Sequence, residues 1–303
     1  MPPSVLFLLG ALGVGAPAPV ASASLADALG PSRELRVHLP VRLGLRASDY
    51  LGDATTVTFV PSIWVPVFKG FSVGAALPMG RYDGSLFIGE TAWEPEDSTV
   101  ERVDRQQGFL GNARISAAFA SDDAQPRSGW RWLGAAGIDI YLPTQTYPQD
   151  CCQGHRDAVD LHPREIYLFA PNTFSARFRG MGGIGWGPAT FSLEGGLAYM
   201  DGRDDGVGPV IDWAMRLEVA LGDSVVPWVQ LEGTGESSET FPIGLAGSVL
   251  AELHESRQRR AVRGGARFWL GALGLSPSVG RDLELDLTTF ELDLTVELDP
   301  LGG

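Results

Sequence analysis

The sequence is poor in the features that mark several common classes of protein. Its 303 residues include only two cysteines, Cys151 and Cys152, and a disulfide between such neighbours would close a minimal loop and stabilise little. The 23 Lys and Arg residues are outnumbered by 37 Asp and Glu residues, and the resulting net charge of −14 argues against binding to a nucleic-acid backbone. No window holds the roughly 18 consecutive apolar residues of a membrane-spanning helix.

Signatures of catalysis and of metal binding are also missing. The sequence has no G-x-S-x-G motif, and His38 is the only one of four histidines that falls within an alternating stretch. The segment DCCQGHRDAVDLH (residues 150–162) collects groups that could bind zinc or copper, but their spacing matches no standard zinc site. We therefore predict no enzymatic activity, no cofactor and no metal site.

The N-terminal residues form a separate unit. VLFLLGALGVGA (residues 5–16) is an apolar run of signal-peptide length, and ASA (residues 21–23) fits the small-x-small pattern of a cleavage site. We predict that residues 1–23 are a signal peptide and that residues 24–303 form a single exported domain.

Strict alternation of apolar and polar residues dominates the rest of the chain. In RELRVHLPVRLGLR (residues 33–46), Leu or Val occupies every second position, which is the spacing of an extended strand. About twelve such stretches follow one another, each near the 9–11 residues that cross a bilayer as a tilted strand. The helical period is nowhere comparably strong, so the sequence predicts an all-β protein.

The lengths of the connections indicate how the strands are arranged. Short links near residues 68–70, 186–189 and 222–224 take turns with long ones at residues 81–107, 143–172 and 232–260. Successive links of an antiparallel meander lie at opposite ends, so all the long ones gather on one side. This asymmetry predicts an antiparallel up-and-down transmembrane β-barrel of about 12 strands, with short periplasmic turns and long extracellular loops. A soluble exported β-sandwich that binds a ligand remains the alternative fold.

The first and last strands carry complementary charges. If the sheet closes, FELDLTVEL (residues 290–298) becomes the neighbour of the first strand. A row of Arg36, Arg42 and Arg46 would then lie beside a row of Glu291, Asp293 and Glu297, while the apolar faces of both strands point into lipid. The other charged residues that we predict to line the lumen are His38, Arg114, Asp139, Arg177, Arg179, Glu194, Asp212, Arg216, Glu218, Glu232, Arg263 and Arg267.

Aromatic residues near strand ends fit the interfacial girdles of a membrane barrel. The candidates for these girdles are Trp130, Trp132, Tyr141, Trp186, Tyr199 and Trp228.

One stretch resembles a known family. LGNARISAAFASDDAQPRSGWRWLGAAGIDIYLPT (residues 110–144) is similar to a segment of bacterial outer-membrane transporter barrels, including those linked to aromatic-compound degradation. The resemblance implies passive passage of small molecules across the outer membrane. We expect outer-membrane lipid and the assembly machinery of that membrane as partners, and a small-molecule solute of unspecified identity. The lumen could equally be plugged, by its own side chains or by residues 242–252, which would make the chain a structural or adhesive surface barrel.

Overall fold

The architecture comes from a computed structural model that describes residues 35–46, 54–89, 100–122, 130–144, 158–159, 161–162, 164–170, 173–202, 206–222, 224–236, 258–285 and 287–298. The expected signal peptide, the two cysteines and residues 242–252 lie outside the described residues. Within the described part, no helix is long and apolar enough to cross a membrane.

The described chain forms a single antiparallel sheet of fifteen strand segments. They are β1 (Leu35–Arg46), β2 (Ala54–Phe59), β3 (Ser62–Phe68), β4 (Phe71–Ala76), β5 (Met79–Gly89), β6 (Val100–Leu110), β7 (Ala113–Asp122), β8 (Trp130–Leu142), β9 (Thr173–Trp186), β10 (Ala189–Gly202), β11 (Gly206–Val219), β12 (Val225–Glu236), β13 (Gln258–Leu270), β14 (Leu273–Asp282) and β15 (Leu287–Leu298). Two residues interrupt each of the pairs β2–β3, β4–β5 and β6–β7, so each pair is one strand of the barrel. The described residues thus build an antiparallel barrel of twelve strands, and this confirms the predicted fold class.

The barrel closes between its first and last strands. β1 pairs with β15 along its whole length, from Leu35 opposite Leu298 to Arg46 opposite Leu287. Arg36 lies opposite Glu297 and forms an ion pair with it at 2.9 Å. Closure pairs the backbone groups at the seam, and an edge of unpaired groups would not be tolerated in lipid. It also excludes the β-sandwich alternative, because a sandwich has two separate sheets.

The tight turns among the described residues lie at one end of the barrel. Residues 69–70, 187–188 and 271–272 connect strand pairs directly, and each of these turns contains a glycine with positive φ: Gly70, Gly187 and Gly271. A hairpin turn of two residues needs that conformation to match the twist of its strands. We call this end the short-turn end and the opposite one the long-loop end.

One predicted connection is wrong. Residues 81–107 were expected to be a long loop, but β5 and β6 pair from Met79 opposite Leu110 to Gly89 opposite Val100. Only residues 90–99 separate the two strands. In VERVDRQQGFL (β6) charged and amide residues occupy both faces, and in MGRYDGSLFIG (β5) Arg81 and Asp83 interrupt the apolar residues. The apolar alternation that identified the other strands is therefore weak there.

The two faces of the sheet differ sharply. Large apolar side chains such as Phe178, Phe191 and Leu193 are about half exposed on the outside, whereas most buried polar residues are charged and face inward. Trp130, Trp132, Trp186 and Tyr199 are exposed on the outer surface, as expected of girdle residues. Tyr141 and Trp228 are not girdle residues. Tyr141 is buried inside the barrel, and the Trp228 ring lies under the Arg216 guanidinium, because the pleat turns both side chains inward.

Candidate pore and inner segment

Charged residues fill the inside of the barrel. The predicted lining residues that the structure buries at below one-tenth exposure are Arg36, His38, Asp139, Arg177, Arg179, Glu194, Asp212, Arg216, Glu218, Glu232, Arg263, Arg267 and Asp293. The side chains of Arg42, Arg114, Glu291 and Glu297 are slightly more open, and each forms an ion pair inside the barrel. Arg46 belongs to β1, but its side chain is outside the described set. Charges buried to this degree must be paired, because isolated burial is costly.

One chain of contacts runs across the seam. Arg42 on β1 reaches Glu291 on β15 at 2.6 Å, and Arg263 on β13 reaches the same carboxylate at 2.7 Å. Arg263 also pairs with Glu232 on β12 at 2.6 Å. In this series of contacts, Glu291 is shared by two arginines and Glu232 is paired with one. The seam is therefore held by charge as well as by backbone hydrogen bonds.

A second group of charges lies on the opposite wall. Arg177 on β9 donates two hydrogen bonds to Asp212 on β11. Its neighbour Arg179 pairs with Asp139 on β8 at 2.7 Å. Ser116 on β7 also donates to Asp139, at 2.6 Å, so this carboxylate is held by two strands. The described lumen therefore has paired charges of both signs on two opposite walls.

Part of the connection between β8 and β9 folds into the barrel. We call residues 158–159, 161–162 and 164–170 the inner segment; it includes a single turn of 3-10 helix, Ile166–Leu168. Tyr167, Leu168, Phe169 and Ala170 are completely buried, although they belong to no strand. The inner segment thus occupies the lumen toward the long-loop end.

The amide of Asn112 holds one end of the inner segment. Its side-chain nitrogen donates to the carbonyl oxygens of Tyr167 at 2.8 Å and Ala170 at 2.7 Å. The backbone nitrogen of Asn112 donates to the Leu168 carbonyl at 2.6 Å. Asn112 lies between β6 and β7, so the break in that barrel strand exposes the backbone that anchors the segment.

Leu161 anchors the other end against β1. Its side chain packs where a Cβ on Gly44 would otherwise sit, so the absence of a side chain at Gly44 makes room for it. The Leu161 carbonyl accepts hydrogen bonds from Arg42 at 2.5 Å and from Arg263 at 3.3 Å. The segment therefore contacts the same two arginines that hold the seam.

His162 lies between β1 and β2. Its Nε2 is 2.8 Å from the Thr58 hydroxyl, and its Nδ1 is 3.2 Å from Nη1 of Arg42. A guanidinium can only donate, so Nδ1 must accept and the proton of the neutral ring is on Nε2. Burial, followed by the positive charge of Arg42, lowers the pKa of His162 well below its usual value.

Two adjacent residues of the segment form ion pairs with the opposite wall. Arg164 reaches Glu194 at 2.9 Å and Asp212 at 3.5 Å. Glu165 reaches Arg114 at 2.7 Å and Arg177 at 3.8 Å. Each charge of the segment thus faces the opposite charge on the barrel wall.

The remaining space is small. A polar cavity of about 80 Å³ is lined by inner-segment residues His162, Arg164 and Glu165 and by the surrounding charged strand residues. A cavity that holds benzene has roughly 150 Å³. With the inner segment in place, this cavity has room for water molecules and not for a solute of the size of benzene.

The inner segment was not anticipated as the part of the chain that fills the lumen. Residues 242–252 were considered as a plug, and they lie outside the described residues. The run EIYLFA (residues 165–170) is apolar enough for burial, and this was the available signal. It has no strand or helix period, because its contacts are made with distant strands.

Comparison with known proteins identifies no family. No family model and no curated protein matches the chain. Among solved structures, it is similar to a KdgM porin in complex with disordered oligogalacturonate, with 6% identity, 86% of this chain and 99% of the porin covered, and a TM-score of 0.43. It is also similar to the translocator domain of the autotransporter NalP from Neisseria meningitidis, with 13% identity, 91% and 92% covered, and a TM-score of 0.43. The CymD monoaromatic hydrocarbon channel shares 8% identity over 86% of this chain and 87% of its own, with a TM-score of 0.38. These likenesses are too distant to carry an argument about function.

Proposed function

We propose that the chain is a bacterial outer-membrane channel for the passive passage of small molecules, and that the inner segment closes it in the described state. The observation that carries the proposal is a closed barrel with an apolar exterior whose polar lumen is filled by a segment outside the sheet. A barrel with this polarity is at home in the outer membrane.

The inner segment is a removable closure on physical grounds. It is joined to the barrel by side-chain contacts and a few hydrogen bonds, whereas the wall is held by continuous ladders such as β8–β9 and β10–β11. The segment can therefore leave the lumen without loss of any strand pairing, and its departure would open the space that it fills. Sub-global opening of this kind costs less than unfolding the barrel.

The test disrupts the contact between Gly44 and Leu161 by substituting each of the two residues in turn. Gly44→Leu would place a side chain where Leu161 packs, and Leu161→Arg would put a third positive charge beside Arg42 and Arg263. The second variant leaves every barrel strand unchanged. We expect both refolded variants to show single-channel conductance in planar bilayers at least tenfold above that of the wild-type chain.

Gly180→Leu is the matched control, because a Cβ at Gly180 would meet nothing within 4 Å. This control should conduct like the wild-type chain. Heat-modifiable gel mobility reports whether each variant forms a barrel. If the Gly44→Leu and Leu161→Arg barrels fold but show no increase in conductance, the channel proposal is contradicted. The chain would then be a plugged structural barrel, which the dense ion pairing of the lumen also favours.

A further inference from the structure

The Arg164–Glu165 pair of the inner segment binds to the barrel wall as a ligand would. The Arg164 guanidinium lies against the carboxylates of Glu194 and Asp212. The Glu165 carboxylate lies against the guanidinium groups of Arg114 and Arg177. The two halves of this wall adjoin each other, because Arg177 is itself hydrogen-bonded to Asp212.

The wall would keep these charges when the segment leaves. Glu194, Arg114, Arg177 and Asp212 belong to barrel strands and cannot follow the segment out of the lumen. Glu194 is 4% exposed, and its Oε2 accepts no hydrogen bond within the described residues, so it can take a further donor. Departure of the segment removes the Arg164 guanidinium from Glu194 and the Glu165 carboxylate from Arg114, so a solute that carries both charges can restore these two charge-assisted contacts.

We propose that this wall is a binding site for zwitterionic solutes, that is, small molecules carrying one cationic and one anionic group, and that Arg164 and Glu165 occupy it in the closed state. The cationic group binds Glu194 and Asp212, and the anionic group binds Arg114 and Arg177. This inference rests on the proposed channel, since it names the class of solute that the opened lumen would take.

Three blocked dipeptides test the charge requirement. Acetyl-Arg-Glu-amide reproduces both charges of the segment, acetyl-Arg-Gln-amide keeps the cation and acetyl-Gln-Glu-amide keeps the anion. Each is titrated calorimetrically into the full-length Leu161→Arg barrel in detergent at low ionic strength, because salt weakens such pairs. We expect the doubly charged probe to bind at least tenfold more tightly than either singly charged one.

Variants assign the two halves of the site. Glu194→Gln should remove the advantage of the doubly charged probe over the anionic probe. Arg114→Gln should remove its advantage over the cationic probe. Arg260→Gln is the matched control: Arg260 pairs with Glu284 at 2.9 Å, its side chain is 55% exposed, and the substitution should change no affinity.

The outcomes separate the two proposals. The zwitterion site would be overturned if the three probes bound with equal affinity, even if the opened barrel conducts. It would also be overturned if Arg260→Gln reduced the affinity for the doubly charged probe as much as Glu194→Gln or Arg114→Gln does. Selective binding of acetyl-Arg-Glu-amide to an opened barrel that carries no current would retain the site and overturn the channel. Gly44→Leu provides a second opened barrel in which the same comparison is repeated, so a refolding failure of one variant does not decide the result.

Discussion

At the scale of single residues, we expect His162 to make the proposed closure of the lumen sensitive to pH. Its Nδ1 accepts from Arg42, and the other cations that lower its pKa are Arg263 on β13 and Arg114 on β7. The carboxylates nearest to these cations, Glu291, Glu232 and Glu165, are paired with them. A proton on Nδ1 would therefore set a donor and a positive charge against the Arg42 guanidinium.

The sign of the effect follows from linkage. The pKa of His162 is lowered in the closed state, whereas an exposed histidine titrates near 6.5. The closed state thus binds fewer protons than the released segment, and its stability is complete above about pH 6.5 and falls as the pH drops below that value. We predict that wild-type conductance in planar bilayers rises between pH 7 and pH 5.5.

His162→Gln should conduct without this rise, because its amide does not titrate. His38→Gln is the control for the second interior histidine. His38 lies 3.8 Å from the Asp293 carboxylate at the seam between β1 and β15, and its substitution should leave the pH response in place. A pH response that survives in His162→Gln would assign the effect to other groups.

Asn112 is the second residue on which closure depends. Its side-chain amide donates to carbonyls of the inner segment, and alanine would leave those buried acceptors unsatisfied at a cost of roughly 1–3 kcal/mol. We predict that Asn112→Ala raises the conductance and speeds proteolytic cleavage within residues 158–170. Gln106→Ala removes an exposed amide that bonds Arg81 and Asp83, and it should change neither.

At the scale of elements, the seam between β1 and β15 combines backbone pairing with charge pairing. Arg36 meets Glu297, and Arg42 meets Glu291, both at ion-pair distance inside the barrel. Removing one partner of a buried pair costs roughly 3–5 kcal/mol, and reversing its charge also places two like charges together. We predict that reversing Glu291, Asp293 and Glu297 to lysine abolishes heat-modifiable mobility.

A charge exchange tests whether the loss of heat-modifiable mobility has an electrostatic cause. Glu297→Lys alone should weaken closure, and Glu297→Lys combined with Arg36→Glu should restore it. Glu284→Lys is the control, because Glu284 pairs with the exposed Arg260 away from the seam. Unchanged mobility of the triple lysine variant would show that backbone pairing alone closes the barrel.

The same elements show what sequence reasoning can reach. β1 and β15 were predictable because an apolar residue at every second position specifies both the strand and the face that meets lipid. β5 and β6 were missed, since charged and amide residues interrupt the apolar alternation of their sequences. The inner segment was beyond prediction for a related reason: contacts such as Asn112 with Tyr167 or Gly44 with Leu161 join residues far apart in sequence, and no local period encodes them.

At the scale of the whole molecule, the charge is divided by region. The chain carries a net charge of −14, yet buried arginines and carboxylates alternate around the lumen as paired groups. Within the described residues, the charges that line the lumen thus largely neutralise one another. A neutralised interior with an apolar exterior is an arrangement that suits a lipid surround, because each ionic group meets either a partner or water.

The outward apolar residues provide the last prediction, because lipid and water respond oppositely to charge at an exposed position. Phe178, in the middle of β9, is 61% exposed, so Phe178→Arg would be tolerated if the barrel exterior faced water. Facing lipid, the substitution should destabilise the barrel folded into vesicles by roughly 2–4 kcal/mol at mid-depth. Leu270→Arg is the control at the end of β13, where the side chain is 67% exposed and the cost should fall to about 0–1 kcal/mol. Equal costs at the two positions, measured by denaturant titration in vesicles, would contradict a membrane-spanning orientation of the barrel, since only a bilayer makes the cost depend on depth.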